Sequence, residues 1–197
     1  VSVPTSRTVL PARDLPTVDD VLRLGDTVLA EIVDRELYLL GDRPNARGFA
    51  SFRLLGDLGP PFVQGRGGGP GGWWLAPEPL VVLPSSDVLR PALAGWLRPR
   101  LPAPPGDAPL SVTPDWVLEV VTQASAAHER GPKRRAWHRA RVPHLWVLDA
   151  ERRTLEVFVP GPATYGRVQV GADGETARLA PFAGQPLELS RYFLPRT

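Results

Sequence analysis

Residues 113–147, TPDWVLEVVTQASAAHERGPKRRAWHRARVPHLWV, constrain the chain more than any other stretch. The spacing predicts a buried strand, a polar loop, a basic helix and a second buried strand. Glu119 falls inside the first strand, among Val117, Leu118, Val120 and Val121. Burying an unpaired carboxylate is costly, so Glu119 needs a cation, either a metal ion or a basic side chain. Lys133, at the start of the predicted helix, can supply one, and a structural Glu119–Lys133 ion pair would satisfy both groups. A strand carboxylate with a lysine from the next helix is also one side of the site a metal-dependent phosphodiesterase needs.

Around this stretch the elements follow from local signals. Thr17 is an N-cap candidate with Asp19 and Asp20 in the first turn, which predicts a short helix ending at Gly25. Val28 to Leu40 alternates as a hairpin turning near Asp34-Arg35, with Glu31 read as a solvent-facing strand acid. Asn45 to Leu58 spaces Phe49, Phe52, Leu55 and Leu58 as the apolar stripe of a helix, and Gly59-Pro60-Pro61 ends it. Residues 65–72 form the most flexible-looking segment, but lack both a GKS/GKT tail and a GxGxxG between strand and helix, so they carry no phosphate-loop signature. Trp73–Ala76 and Leu80–Leu83 read as one long strand bent around Pro77 and Pro79. Val88–Trp96 reads as the next strand, and 97–112 as a Pro-rich loop. Farther on, His144–Asp149 and Thr154–Val159 form a hairpin, and Arg167–Val170 pairs with Thr176–Leu179 around Asp173-Gly174. The tail from Leu187 closes against the core.

Composition narrows the function classes. At 197 residues the chain is sized for one domain, 1–197, with residues 1–16 as an extended arm. It has no cysteine, which removes disulfides, thiolate zinc sites and cysteine nucleophiles. No apolar run reaches the ~20 residues of a membrane helix, and no signal-like segment opens the chain, so a cytoplasmic location is expected. Net charge is only +2, but His128, Arg130, Lys133, Arg134, Arg135, His138, Arg139 and Arg141 cluster in one stretch. Such a face is either simply solvated or binds phosphate; Arg130, Arg134, Arg135 and His138 are the candidate nucleic-acid contacts.

Strand geometry limits any metal site. Asp115 and Glu119 share a face but lie about 13 Å apart at ~3.3 Å per residue, too far to share one magnesium ion. A second acid must therefore come from a neighbouring strand, and Asp115 reads as a polar residue at a strand mouth. The histidines lack zinc-ligand company, and no serine sits in a GxSxG elbow.

The segment PDWVLEVVTQASAAHERGPKRRAWHRARVPHLWVLDAERRTLEVF resembles the Uma-type family of restriction endonucleases, whose members read roughly PDxVxEVLSPST…D-x-G-x-K…W-x-V-D. Upstream, GGWWLAPEPLVVLPSSDVLRPALAGWLRPRLP is similar to the family's GGWW…EPE…DVLVPDLAGW…RLP. The resemblance covers about Glu31 to Phe158. It implies an α/β (α+β) restriction-endonuclease-like core, a mixed central sheet flanked by helices, here with extra β-hairpins. It also implies magnesium- or manganese-dependent cleavage of nucleic acid, DNA first, in a fold class where homodimers are common. Glu119 matches the second metal acid and Lys133 the lysine that positions water.

Three departures matter. Where the family has aspartate in VPDLAGW, this chain has Ala92, which cannot bind a metal. A histidine often found in the family's N-terminal helix is absent, and the neighbourhood reads Asn45-Ala46-Arg47; the family's aspartate before G-x-K is Glu129. Loss of one of two metal carboxylates lowers turnover by on the order of 10²–10⁶-fold. Glu78, reaching across from the adjacent strand, and Asp87, on the opposite face of its strand unless a bulge intervenes, are the candidate replacements. The resemblance therefore leaves two readings: an impaired magnesium-dependent endonuclease, or a catalytically inactive nuclease fold that binds nucleic acid or a protein partner.

Overall fold

Burial on both faces decides the architecture. In the computed structural model, which describes residues 6–8, 15–25, 28–40 and 45–196, every side chain of the central strand Trp116–Val121 is buried. Such a strand must have layers above and below it, which is why its sequence is a continuous apolar run rather than an alternating one. The expected arm over residues 1–16 lies largely outside the described residues.

In chain order the elements are β1 (Ser6–Thr8), α1 (Val18–Arg23), β2 (Ala30–Val33), β3 (Glu36–Leu39), α2 (Asn45–Leu58), β4 (Trp73–Pro77), β5 (Val81–Val82) and β6 (Val88–Leu89). Then follow β7 (Leu93–Leu97), β8 (Trp116–Val121), α3 (Ala126–His128), α4 (Arg134–Arg139), β9 (His144–Asp149), β10 (Thr154–Pro160), β11 (Tyr165–Ala172), β12 (Thr176–Ala177) and β13 (Leu187–Glu188). The central sheet has the order β11-β10-β9-β8-β7-β4 and is mixed: β8 and β9 run parallel, and the other neighbours are antiparallel. A second sheet has the order β1-β3-β2-β6-β5. This is the restriction-endonuclease-like arrangement, with helices on the sheet and additional hairpins.

Alternation along β8 divides the core. Trp116, Leu118 and Val120 face one apolar cluster with Trp146, Phe182 and the buried face of α2; Val117 and Val121 face another with Trp96, Trp137 and Val142. Glu119 shares the second face. The tail packs as expected, with Leu187, Leu189, Tyr192 and Phe193 in the first cluster. Buried indoles need acceptors. Buried Trp96 donates through Nε1 to the Val112 carbonyl at 2.8 Å and half-buried Trp74 to the Leu101 carbonyl at 3.0 Å, which ties the Pro-rich loop to the sheet.

Several sequence expectations change. The stretch 73–83 is two strands in two sheets, β4 and β5, because the chain turns at Glu78, whose φ is 45°. Val88–Trp96 likewise divides into β6 and β7, with Arg90-Pro91-Ala92 carrying the chain from one sheet to the other. The buried stripe of α2 is Arg47, Ala50, Ser51, Leu54 and Leu58, while Phe52 is 76% exposed: small residues let the helix approach the sheet closely. The helical path also continues past Leu58 as a π turn over Gly59–Val63. The Asp173-Gly174 turn forms, but β11 pairs with β10 and β12 with β13 rather than with each other. The glycine-rich loop is held against this π turn: Gly71 N donates to Pro61 O at 2.9 Å, and Arg66 N to Pro60 O at 2.8 Å. At Gly69 a side chain would collide with the Pro61 backbone. No helix among the described residues is long and apolar enough to cross a membrane.

Candidate functional site

The chain gathers an unusual number of charges beneath the switch between its sheets. Glu119 is delivered by the middle of β8, and Lys133 by the segment that leads into α4. Gly131, with φ −101° and ψ −108°, breaks the helical path after α3, and a π turn spans Glu129–Lys133. That turn aims both Glu129 and Lys133 inward; all three side chains are buried, Lys133 completely.

Lys133 Nζ is the point on which the acids converge. It lies 2.8 Å from Glu31 Oε1, 2.9 Å from Glu119 Oε2 and 3.3 Å from Glu129 Oε2, and donates to the Arg90 carbonyl at 3.3 Å. Glu119 Oε1 accepts from Trp137 Nε1 at 2.8 Å, so both of its oxygens are engaged by the protein. Glu31 is wholly buried, which overturns its reading as a solvent-facing acid: both faces of β2 are covered, Ala30 and Ile32 lying in one apolar cluster and Val33, on the Glu31 face, in the cluster of Val117 and Trp137. Besides Lys133, Glu31 takes the Arg90 N–H at 2.7 Å and His128 Nε2 at 2.7 Å; His128 in turn packs on the Tyr38 ring.

Arg47 is a second buried cation. On the core-facing stripe of α2, it donates through Nε to Glu78 Oε1 at 3.1 Å and through one terminal nitrogen to the Arg90 carbonyl at 2.5 Å. Its other terminal nitrogen lies 3.8 Å from both Glu119 Oε2 and Glu129 Oε1. Ala92 stands beside this group. Its N–H donates to Leu118 O at 2.9 Å, next to Glu119 along β8, and its carbonyl accepts from Glu78 N at 3.2 Å and Ser51 Oγ at 3.3 Å. Its side chain is fully buried and offers no donor atom.

The four acids thus meet two permanent cations, and they do not share them equally. Burial would raise the Glu31 carboxyl, but the Lys133 ammonium and the His128 contact hold it down to about 2. Burial and the nearby Glu129 carboxylate push Glu119 up to about 8, with Lys133 and Arg47 opposing. Burial works against the charge on Lys133, yet Glu119, Glu129 and Glu31 raise it above the ordinary lysine value; Glu119, Glu129 and Glu78 do the same for Arg47. Three carboxylates around one ammonium give it more support than any one of them receives.

The other expected residues fall elsewhere. Asp87 is buried but accepts from Asp34 N at 2.8 Å, Ser85 Oγ at 2.5 Å and Arg139 at 2.7 Å, apart from the Lys133 cluster. Glu78 does border the cluster, through Arg47. Asp115 closes a strand mouth, accepting from Leu97 N at 2.9 Å and from Arg100. Of the basic candidates, Arg130 is spent on Asp149 and Glu156, Arg134 lies 4.1 Å over the Phe158 ring, and His138 contacts the Gly161 carbonyl. Arg135 is the most open, with a 62% exposed side chain 3.6 Å from Asp34. A groove of about 520 Å³ lined by Asn45, Gly48, Ser51, Phe52, Pro77 and Glu78 runs along α2 at the outer edge of the cluster. Sequence reasoning missed Arg47, Glu31, His128 and Trp137 as parts of this centre. The available signals were polar residues in apolar settings: Glu31 within LAEIV, and Arg47 three residues before Ala50 on the helix.

Among the described residues, no group of three or more His, Cys, Asp or Glu is placed to hold a metal ion. The donor set agrees: both Glu119 oxygens are taken, and Arg47 and Lys133 occupy the space between the acids.

A family model described as "Uma2: Putative restriction endonuclease" matches residues 18–190. Among solved structures, the chain is similar to "a putative nuclease belonging to DUF820 from Anabaena variabilis ATCC 29413", with 14% identity and a TM-score of 0.65 over 90% of this chain and 97% of that one. At that identity the likeness is one of fold. No curated protein matches.

Proposed function

The chain belongs to the Uma2 family of the PD-(D/E)XK nuclease superfamily, and from that premise we propose that it is a nuclease-fold protein, one domain throughout, that binds nucleic acid without cutting it. The observation that carries this reading is the closed state of Glu119. In the family resemblance this residue is a metal acid; here Lys133 and Trp137 hold its two oxygens at 2.9 and 2.8 Å. Ala92, at the place of the family's first acid, supplies no oxygen. Magnesium or manganese does not fit such a donor set, because one acid is replaced by Ala92 and a dication beside Glu119 would meet the Lys133 ammonium and the Arg47 guanidinium. No hydrolytic step is therefore assigned to these residues.

Neither replacement acid restores the set. Glu78 faces Arg47, and Asp87 is committed to Arg139 and the Asp34 backbone. Binding draws its support from the family and from the open side of α4, where Arg135 is exposed. Contacts of that kind act through phosphate charge and weaken as salt rises.

One observation favours the second reading, a weak magnesium-dependent endonuclease: the direct Glu119–Lys133 contact is the acid–lysine pairing that such enzymes use. Incubating the purified chain with supercoiled and single-stranded DNA, with magnesium or manganese, separates the two. The expected result is salt-sensitive binding, weakened by Arg135→Glu, with no strand scission. Metal-dependent scission abolished by Glu119→Ala would overturn the binding-only reading and establish the endonuclease.

A further inference from the structure

We propose that Arg47 is a resident cation, its guanidinium standing in the acid cluster where a divalent ion would otherwise have to sit. This rests on the reading that the family's metal centre is closed in this chain, and deepens it by naming what closes it. Arg47 is 3% exposed and is held from several sides: Glu78 at 3.1 Å, the Arg90 carbonyl, and Glu119 and Glu129 at 3.8 Å each. Two of these partners frame Ala92. Arg90 is two residues before it, and the N–H of Glu78 donates to its carbonyl.

Charge explains why a cation belongs there. Glu31 is committed to Lys133 and His128, Glu119 and Glu129 share that same ammonium, and Glu78 meets Arg47. Removing Arg47 would take this cation from Glu78 and leave the Glu119 and Glu129 carboxyls sharing Lys133 with Glu31 in a buried space. Arginine suits the place better than lysine: its charge does not titrate in proteins, and its planar fork reaches a carboxylate and a carbonyl together. Unlike a metal ion, it cannot be exchanged or chelated. Ala92 is part of the same arrangement. A second acid there would add negative charge that one guanidinium does not balance, and a methyl group leaves the guanidinium beside Glu119 uncrowded.

The test measures manganese, not cleavage. Wild type, Arg47→Lys, Arg47→Ala and the Arg47→Ala/Ala92→Asp double variant are titrated with Mn²⁺, following free Mn²⁺ by electron paramagnetic resonance and Tm with and without EDTA. Wild type and Arg47→Lys are expected to bind no Mn²⁺ and to melt alike with or without EDTA. Arg47→Ala is expected to melt lower and to recover part of the loss in about 10 mM Mn²⁺, and the double variant to bind at least ~10-fold more tightly. Stoichiometric Mn²⁺ binding by wild type overturns the proposal. So does a folded double variant that binds none, or an Arg47→Ala chain that stays unfolded at the highest Mn²⁺ concentration. Absence of DNA binding would sink the functional reading alone, since these outcomes do not depend on DNA.

Discussion

Replacing Lys133 by methionine keeps most of the side-chain volume and removes one charge from the middle of the acid cluster. At an effective dielectric of about 20, each carboxylate at 2.8–3.3 Å attracts the ammonium by roughly 5–6 kcal/mol before desolvation is counted. Desolvation cancels much of that in the intact cluster. The variant, however, leaves Glu31, Glu119 and Glu129 buried with the support of Arg47 and His128 but without the ammonium between them, and undercompensated buried charge of this kind costs about 3–5 kcal/mol. For a chain of this size that is a Tm lower by about 6–20 °C, read by differential scanning calorimetry at pH 8. The deficit should narrow toward pH 5, where the orphaned carboxylates can take up protons. A second change, Glu119→Gln, should recover part of it at pH 8. A Tm within about 2 °C of wild type at every pH would refute the claim that these charges hold one another in place.

Three further outcomes are expected. Glu119 is held up at about 8 against an ordinary 4.5, so its contribution is full below pH 4.5 and is lost as pH rises through 8; Glu31, held down to about 2, contributes above 4.5 and loses its contribution as pH falls toward 2. Urea midpoints should therefore decline from pH 5 to pH 9 in wild type, and Glu119→Gln should flatten that decline. Trp137→Phe removes the donor to Glu119 Oε1 while keeping most of the ring, and should cost about 1–3 kcal/mol by chemical denaturation. Gly69→Ala should destabilise by about 1–3 kcal/mol through collision with the Pro61 backbone, whereas Gly56→Ala, in open space on α2, should stabilise by about 0.5–1 kcal/mol.

Local pattern carried much of the fold. The bounds of α2, the Asp34-Arg35 turn and the β9–β10 hairpin all follow from periodicity and turn chemistry. What it could not carry was partner choice. Pro77-Glu78-Pro79 announces a bend, but nothing in those residues says that the chain leaves one sheet for another. Asp173-Gly174 announces a turn without saying that the strands on either side pair elsewhere. The site divides along the same line. Glu119 and Lys133 were legible because an acid in an apolar strand demands a cation, and Lys133 lies only 14 residues on. Glu31 and Arg47 lie 88 and 72 residues from Glu119. Their part in the cluster depends on which edge of the second sheet meets the first, and that is a tertiary fact. The hydrophobic spacing of α2 pointed to Phe52, while the helix instead turned its small residues and one arginine inward.

Glu31 takes the backbone N–H of Arg90, the ammonium of Lys133 and the ring of His128 with one pair of oxygens. The amino-terminal hairpin is thus a buttress for the heart of the molecule, although it belongs to a different sheet. A shortened chain beginning after Leu40 would strip Lys133 of its nearest acid and free the corner at Arg90. Anyone trimming this protein to a minimal nuclease-like core should expect the cut to be felt far downstream, at Arg90 and Lys133.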